Sequence, residues 1–139
     1  MLTKIMAKPD VVWVNGTFDV LHMGHIKLLA KARSLDGVVH VGVDTDERIK
    51  KAKGETRPVN NLWNRIDFLT AIKYVDRVHH FGTDEELRTI IKGLEPRWMV
   101  IGDDYLGKEI IGREYIKEII YVPRYQGLSS TKIISGAHN

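Results

Sequence analysis

The feature that most constrains the fold is a regular alternation of short apolar segments with segments of helical periodicity. Five apolar runs, rich in β-branched residues, occupy residues 11–14, 38–43, 77–81, 98–101 and 119–122. Runs of this length and composition are typical of strands that are covered on both faces of a parallel sheet. We therefore predict five short parallel strands.

Segments in which apolar residues recur at helical spacing lie between these runs. They cover residues 23–34, 60–73, 84–92 and, with a weaker pattern, 110–117, and residues 129–135 predict a short closing helix. Strands that alternate with helices are joined by right-handed crossovers, which gives an open, doubly wound α/β sheet. We predict a single domain over residues 1–139 with strand order 3-2-1-4-5. Its ligand should bind at the carboxyl ends of strands 1 and 4, where the winding reverses.

Composition excludes several classes of protein. The apolar runs are far shorter than the roughly 20 residues of a membrane-spanning helix, so we expect no membrane insertion. The first residues lack the apolar stretch of a secretory signal. The absence of cysteine excludes disulfides, thiolate metal sites and thiol nucleophiles. We expect a cytoplasmic protein.

The charge distribution indicates the kind of partner. The net charge is only +3, but residues 48–57 contain five basic residues and one acidic residue, which predicts an anion-binding segment. Aromatic residues make up 8% of the chain and show no arrangement suited to stacking single-stranded nucleic acid. We therefore expect a phosphorylated small molecule and no nucleic acid as partner. Residues 49–57 are the candidate mobile stretch.

Two histidines follow the first predicted strand. His22 and His25 are three residues apart, so they share one face at the start of a helix, beside its free amide groups and its positive dipole end. Gly24 between them allows a phosphate to approach the backbone. Taken alone, the pair equally fits two surface histidines or half of a metal site. Its place directly after strand 1 favours a phosphate site.

Two four-residue motifs in this region carry a resemblance to a known family: Gly16-Thr17-Phe18-Asp19 and His22-Met23-Gly24-His25. Together they resemble the signature of the HxGH nucleotidyltransferases, and the resemblance extends over residues 11–134. Within that superfamily the chain is most similar to glycerol-3-phosphate cytidylyltransferases and to the adenylyltransferase domain that makes ADP-heptose. The resemblance implies a Rossmann-like domain that transfers a nucleotidyl group from a nucleoside triphosphate to a phosphorylated small alcohol or sugar. It also implies pyrophosphate release, the use of Mg2+ and, as in many members, a homodimer.

Residues that match the family's motifs are the candidates for the site. The catalytic candidates are His22, His25, Lys51, Lys53 and Arg124. The nucleotide- and phosphate-binding candidates are Gly16, Thr17, Phe18, Asp19, Gly24, Gly102, Asp103, Asp104, Ser129, Ser130 and Thr131. The acceptor-binding candidates are Arg65 and Trp63, and no side chain is assigned as a metal ligand. Asp19 is expected to orient its neighbours, with a further role near the metal as an option.

Each assignment has a structural alternative. Lys51 and Lys53 also fit a solvated loop, and Asp103 and Asp104 also fit ordinary loop caps. Arg65 also fits an ion pair on a helix surface. The three tryptophans are expected to pack in or beside the core, and four histidines show no motif context: His40, His79, His80 and His138.

The motifs point to two different nucleotides. The Gly102-Asp103-Asp104 segment and the run 121–127 resemble the glycerol-3-phosphate cytidylyltransferases. Residues 53–60 resemble the Lys-Gly-x-x-Arg-Pro-Val-Asn stretch of the heptose enzymes, although this stretch also fits a purely loop-shaping role. We expect CTP and a small phosphorylated alcohol, with ATP and a sugar 1-phosphate as the alternative. A non-catalytic nucleotide-binding module is the third hypothesis.

Overall fold

The structure is a computed structural model that describes residues 8–124. Five strands form one parallel sheet: β1 (Val11–Gly16), β2 (Val38–Asp44), β3 (Arg77–Phe81), β4 (Trp98–Gly102) and β5 (Glu118–Val122). Their order is β3-β2-β1-β4-β5, which confirms the predicted α/β architecture and the winding reversal between β1 and β4. The predicted helix at residues 129–135 lies outside the described residues, as do Ser129, Ser130 and Thr131.

Four α-helices connect the strands: α1 (Met23–Ser34), α2 (Asp46–Lys53), α3 (Leu62–Thr70) and α4 (Asp84–Leu94). The first, third and fourth lie where helical periodicity predicts them, and an Asn61 cap shortens the predicted 60–73 segment at its start. In the region 8–124, no helix is long and apolar enough to cross a membrane.

Helix α2 corrects the prediction of a mobile basic loop over residues 49–57. The Thr45 side chain accepts a hydrogen bond from the backbone N–H of Arg48, which caps the helix. The first turn carries two acidic residues and the last turn three lysines, so both helix ends have the charge that the dipole favours. Ile49 is buried beneath the helix. Lys51 and Lys53 therefore stand on an ordered helix.

The weak helical pattern at residues 110–117 corresponds only to a short 3-10 turn, Arg113–Tyr115. Gly112 precedes this turn with a φ of 83°, in the left-handed region that favours glycine. A Cβ atom at this position would lie 2.8 Å from Cδ1 of Ile91. The close approach to α4 and the positive φ together interrupt a longer helix.

The core has two layers because helices cover both faces of the sheet. One layer joins valines of β1 and β2 to α1 and α3, and the other joins Trp13, Met99 and Ile101 to α4. The Trp13 ring packs over Gly42, where a Cβ atom would lie only 2.5 Å from the indole. Trp63 departs from the expectation of core packing, since it is 66% exposed on the outer face of α3.

Candidate active site

A cleft of about 270 Å³ lies where the winding reverses, at the carboxyl ends of β1 and β4. We call it the histidine cleft. It is lined by Asn15, Gly16, Thr17, Phe18, His22, Gly24, His25, Leu28, Lys53, Ile101, Gly102, Asp104, Tyr105, Val122, Pro123 and Arg124. Topology predicts this location, and motifs that are remote in sequence meet there.

The start of α1 fixes the orientation of both histidine rings. Nδ1 of His22 accepts the backbone N–H of Gly24 at 3.0 Å, and Nδ1 of His25 accepts the backbone N–H of His22 at 3.2 Å. A backbone N–H group can only donate, so each Nδ1 is an acceptor and each neutral ring carries its proton on Nε2. The capping bonds therefore leave the Nε2–H groups available as donors to an anion in the cleft.

The electrostatics of the cleft keep both rings neutral near pH 7. Burial lowers the pKa of His25 to about 4, and the neighbouring charges of His22 and Lys53 act in the same direction. Burial and the charge of Arg124 also lower the pKa of His22. The histidines thus supply hydrogen bonds, whereas Lys53 and Arg124 supply positive charge to the same cleft.

The Phe18 ring packs against the ring of His25. Its ring centroid lies 5.2 Å from that of His25, and the side chain is only 2% exposed. Its φ of 50° is in the left-handed region, which is uncommon for a residue other than glycine and concentrates at functional sites. The turn after β1 is thus shaped to place an aromatic ring against His25.

Asp19 joins this turn to the segment after α2. Its fully buried carboxylate accepts the backbone N–H groups of Val59 at 2.8 Å and Asn60 at 3.0 Å, and Nε of Arg57 at 2.9 Å. The Asn60 side chain donates to the backbone oxygen of Asp19 at 2.6 Å. We call these four residues the Asp19 cluster. Asp19 is fully buried and does not line the histidine cleft, which corrects its assignment as a nucleotide-binding residue. It orients the loop instead, and the Arg-Pro-Val-Asn stretch shapes that loop through Arg57, Val59 and Asn60.

Arg65 is fully buried, which corrects both predictions made for it. Nη1 donates to the backbone oxygens of Thr17 at 2.9 Å and Asp44 at 2.7 Å, and Nε donates to that of Asn60 at 3.0 Å. Nη2 pairs with Asp46 at 2.7 Å. Arg65 has no surface on which to bind an acceptor or to form an exposed ion pair. It ties together three segments that border the site.

A second and larger cleft, of about 820 Å³, lies between α2 and the start of α4. We call it the α2 cleft. It is lined by Thr17, Asp44, Arg48, Ile49, Lys51, Ala52, Lys53, Gly82, Thr83, Asp84 and Glu85. Thr17 and Lys53 line both clefts, so the two clefts adjoin at these side chains.

The structure brings most of the candidates to these two clefts. Gly102, Asp104 and Arg124 line the histidine cleft, whereas Asp103 and Trp63 line neither cleft. Sequence reasoning missed Asn15, Tyr105, Asp44, Arg48 and Asp84 as lining residues. Each lies within four residues of the carboxyl end of a strand. That position was the available signal, because these strand ends border the ligand site in this topology.

The described residues hold no group of three or more histidine, aspartate or glutamate side chains that could bind a metal ion. Asp104 is the carboxylate that lines the histidine cleft. Mg2+ is commonly held by one or two carboxylates together with substrate phosphates. This donor set fits an ion that is coordinated mainly by a bound triphosphate.

Curated relatives match most of this chain. The bifunctional protein HldE of Helicobacter hepaticus is 41% identical over 133 residues, which cover 96% of this chain and 27% of that protein. The bifunctional protein HldE of Campylobacter concisus is 42% identical over 127 residues, which cover 91% of this chain and 27% of that protein. The chain thus spans about a quarter of the length of these relatives.

Solved structures show the same fold. A lipopolysaccharide core biosynthesis protein from Thermoplasma volcanium has a TM-score of 0.68 at 24% identity, covering 84% of this chain and 98% of that one. The pantoate-beta-alanine ligase of Francisella tularensis has a TM-score of 0.59 at 20% identity, and the match covers 94% of this chain and 69% of that one.

A family model described as cytidylyltransferase-like matches residues 13–136, which include every strand and helix described above except the first two residues of β1. The match also spans all the residues that line the histidine cleft. The chain therefore belongs to the cytidylyltransferase-like family of nucleotidyltransferases.

Proposed function

We propose that this protein transfers the adenylyl group of ATP to a sugar 1-phosphate and releases pyrophosphate. The observation that carries the proposal is the junction of the two clefts at Thr17 and Lys53. The histidine cleft suits the triphosphate, because it combines hydrogen-bond donors with positive charge. The α2 cleft has the volume for a phosphorylated acceptor beside it.

The reaction needs positioning and charge stabilisation more than a base. The phosphate monoester of the acceptor is mostly a dianion at neutral pH, since its second pKa is about 6. One of its oxygens attacks the α-phosphorus and forms a new P–O bond. The bond from the α-phosphorus to the bridging oxygen breaks, and pyrophosphate leaves with that electron pair. No proton has to be removed from the nucleophile.

The chain's own residues then stabilise the charge that develops. The Nε2–H groups of His22 and His25 donate to phosphate oxygens, and their capping bonds fix them before substrate binds. Lys53 and Arg124 offset the charge of the triphosphate. Asp104 would share the coordination of Mg2+, which would neutralise further phosphate charge.

Two observations support ATP and a sugar phosphate as the substrates. The HldE relatives match at about 40% identity over most of this chain, and they support the adenylyltransferase of the ADP-heptose type. Residues 53–60 resemble the same enzymes. CTP with glycerol 3-phosphate is the second candidate, because the Gly102-Asp103-Asp104 segment resembles the cytidylyltransferases and two of its residues line the histidine cleft.

Pyrophosphate release tests the proposal directly. ATP, CTP, GTP and UTP are each combined with heptose 1-phosphate, glycerol 3-phosphate, phosphocholine or phosphoethanolamine in the presence of Mg2+, and products are identified by mass spectrometry. We expect turnover with ATP and heptose 1-phosphate. Turnover with CTP and glycerol 3-phosphate instead would establish the second candidate. Tight nucleotide binding by folded protein without turnover on any acceptor would contradict the proposal and favour a binding module.

A further inference from the structure

An ion-paired arginine, Arg48, lines the α2 cleft. Nε of Arg48 lies 2.8 Å from Oδ1 of Asp44, and Nη2 lies 2.7 Å from Oδ1 of Asp84. The guanidinium carbon is 5.3 Å from the centroid of the Phe81 ring. These contacts come from the ends of β2 and β3 and from the first turn of α4. They hold the guanidinium in one orientation beside the cleft.

A surface ion pair elsewhere on α4 provides a comparison. Arg88 and Glu114 are 3.5 Å apart, with side chains 44% and 54% exposed, and they line neither cleft. Arg48 is only 25% exposed and its Asp44 partner 16%, so its geometry is far more constrained. A planar guanidinium fixed in this way is suited to directional hydrogen bonding with oxygen atoms of a ligand.

The α2 cleft is lined by basic side chains of α2 and by acidic side chains from the start of α4. Thr17 and Lys53 stand where it joins the histidine cleft, whereas Asp84 and Glu85 line only the α2 cleft. A molecule with a phosphate at one end and hydroxyl groups at the other matches this arrangement. Its phosphate would face Lys53, and its hydroxyl groups would donate to Asp84, which is 62% exposed, and accept from Arg48.

The same lining disfavours an acceptor with a quaternary ammonium group. Such groups are bound over the faces of aromatic rings. No aromatic residue is among the described residues that line the α2 cleft, and the face of the nearby Phe81 ring is occupied by Arg48. The volume of about 820 Å³ accommodates a sugar phosphate.

We propose that Arg48 and Asp84 determine acceptor specificity by binding the hydroxyl groups of a phosphorylated sugar or polyol, with Asp44 positioning Arg48. This inference rests on the proposed function, because it takes the α2 cleft as the acceptor site. It goes further by naming the residues that distinguish a polyhydroxyl acceptor from one that carries a quaternary ammonium group.

Two measurements separate this inference from the proposed function. Calorimetric titration with heptose 1-phosphate, in the presence of Mg2+ and a non-hydrolysable ATP analogue, measures acceptor binding without turnover. Steady-state kinetics then give kcat and separate KM values for acceptor and nucleotide. The variants are Asp84→Asn and Arg48→Met, with Arg88→Met as the control for loss of an ion pair on α4. Circular dichroism verifies folding, and the exposed Asp84 position provides a second route should Arg48→Met fail to fold.

We expect the Kd for heptose 1-phosphate to rise about tenfold in either cleft variant, which matches the loss of one charge-assisted hydrogen bond. The nucleotide KM should change less than about twofold, and the control should match the wild type. An unchanged Kd in Asp84→Asn, or absence of heptose 1-phosphate binding to the wild type, would overturn the inference. Binding without turnover would refute the proposed function alone.

Discussion

Replacing Asp19 with alanine removes the acceptor that three donors share in the Asp19 cluster. The carboxylate has no exposed surface, and its ion-pair partner Arg57 has a side chain only 8% exposed. Loss of one partner from a buried ion pair costs about 3–5 kcal/mol. The amides of Val59 and Asn60 lose their acceptor as well, although water can reach this loop. We therefore expect the free energy of unfolding to fall by about 3–5 kcal/mol at pH 7.

Urea unfolding monitored by circular dichroism measures this change. Burial opposes ionisation of Asp19, but hydrogen bonds from Asn60, Arg57 and Val59 outweigh it and hold its pKa below the usual range. Its stabilisation is therefore complete above pH of about 4 and is lost as the pH falls through the lowered pKa. The difference in the free energy of unfolding between the wild type and Asp19→Ala should therefore become smaller at low pH.

The matched control is Asp10→Ala, which removes an exposed pair with Arg97 at 3.0 Å. An exposed pair of this kind is worth about 0–1 kcal/mol. An Asp19→Ala variant that unfolds like this control, or a stability difference that does not vary with pH, would refute the account of the Asp19 cluster.

Three further predictions concern the residues that line the two clefts. His25→Ala should lower turnover about 10²- to 10³-fold in the pyrophosphate assay while the circular dichroism spectrum stays native; near-full activity would remove its assigned role. Replacing Lys51 and Lys53 together with alanine should reduce turnover and nucleotide affinity yet lower the melting temperature by less than about 3 °C, since both are exposed; unfolding would instead show a structural role. Because burial lowers the pKa of His25 to about 4, unfolded chains take up a proton that the native state does not. Stability should therefore fall by up to about 1.4 kcal/mol per pH unit below pH 6.5, and His25→Gln should reduce this slope in urea titrations.

The sheet was predictable because its signal is local and repeated. Each strand is a short apolar run, and each main crossover helix has an apolar face of ordinary length. Helix α2 was not predicted, because its only buried residue is Ile49 and the rest of it is strongly charged. Its capping Thr45 and the acidic first turn were the local signs, and they are weaker than an apolar stripe.

The site was predictable only in part. The motif around His22 and His25 gives the identity of the donors, but the ring tautomer depends on backbone bonds that appear only in the folded helix start. Arg65 binds backbone oxygens that are distant in sequence, such as that of Thr17. No pattern of side chains predicts such a contact. Asp84 and Arg48 are likewise brought together by the register of β2 and β3.

In the proposed reaction, an acceptor phosphate oxygen attacks the α-phosphorus of a nucleotide bound at the junction of the two clefts. Heptose 1-phosphate labelled with ¹⁸O in its phosphate group tests it, with ATP, Mg2+ and the wild-type protein, by ³¹P NMR and mass spectrometry of the products. We expect the label to stay in the sugar nucleotide, including the oxygen that bridges its two phosphorus atoms, and the pyrophosphate to carry none. Labelled pyrophosphate, or pyrophosphate formed at the same rate without acceptor, would contradict it.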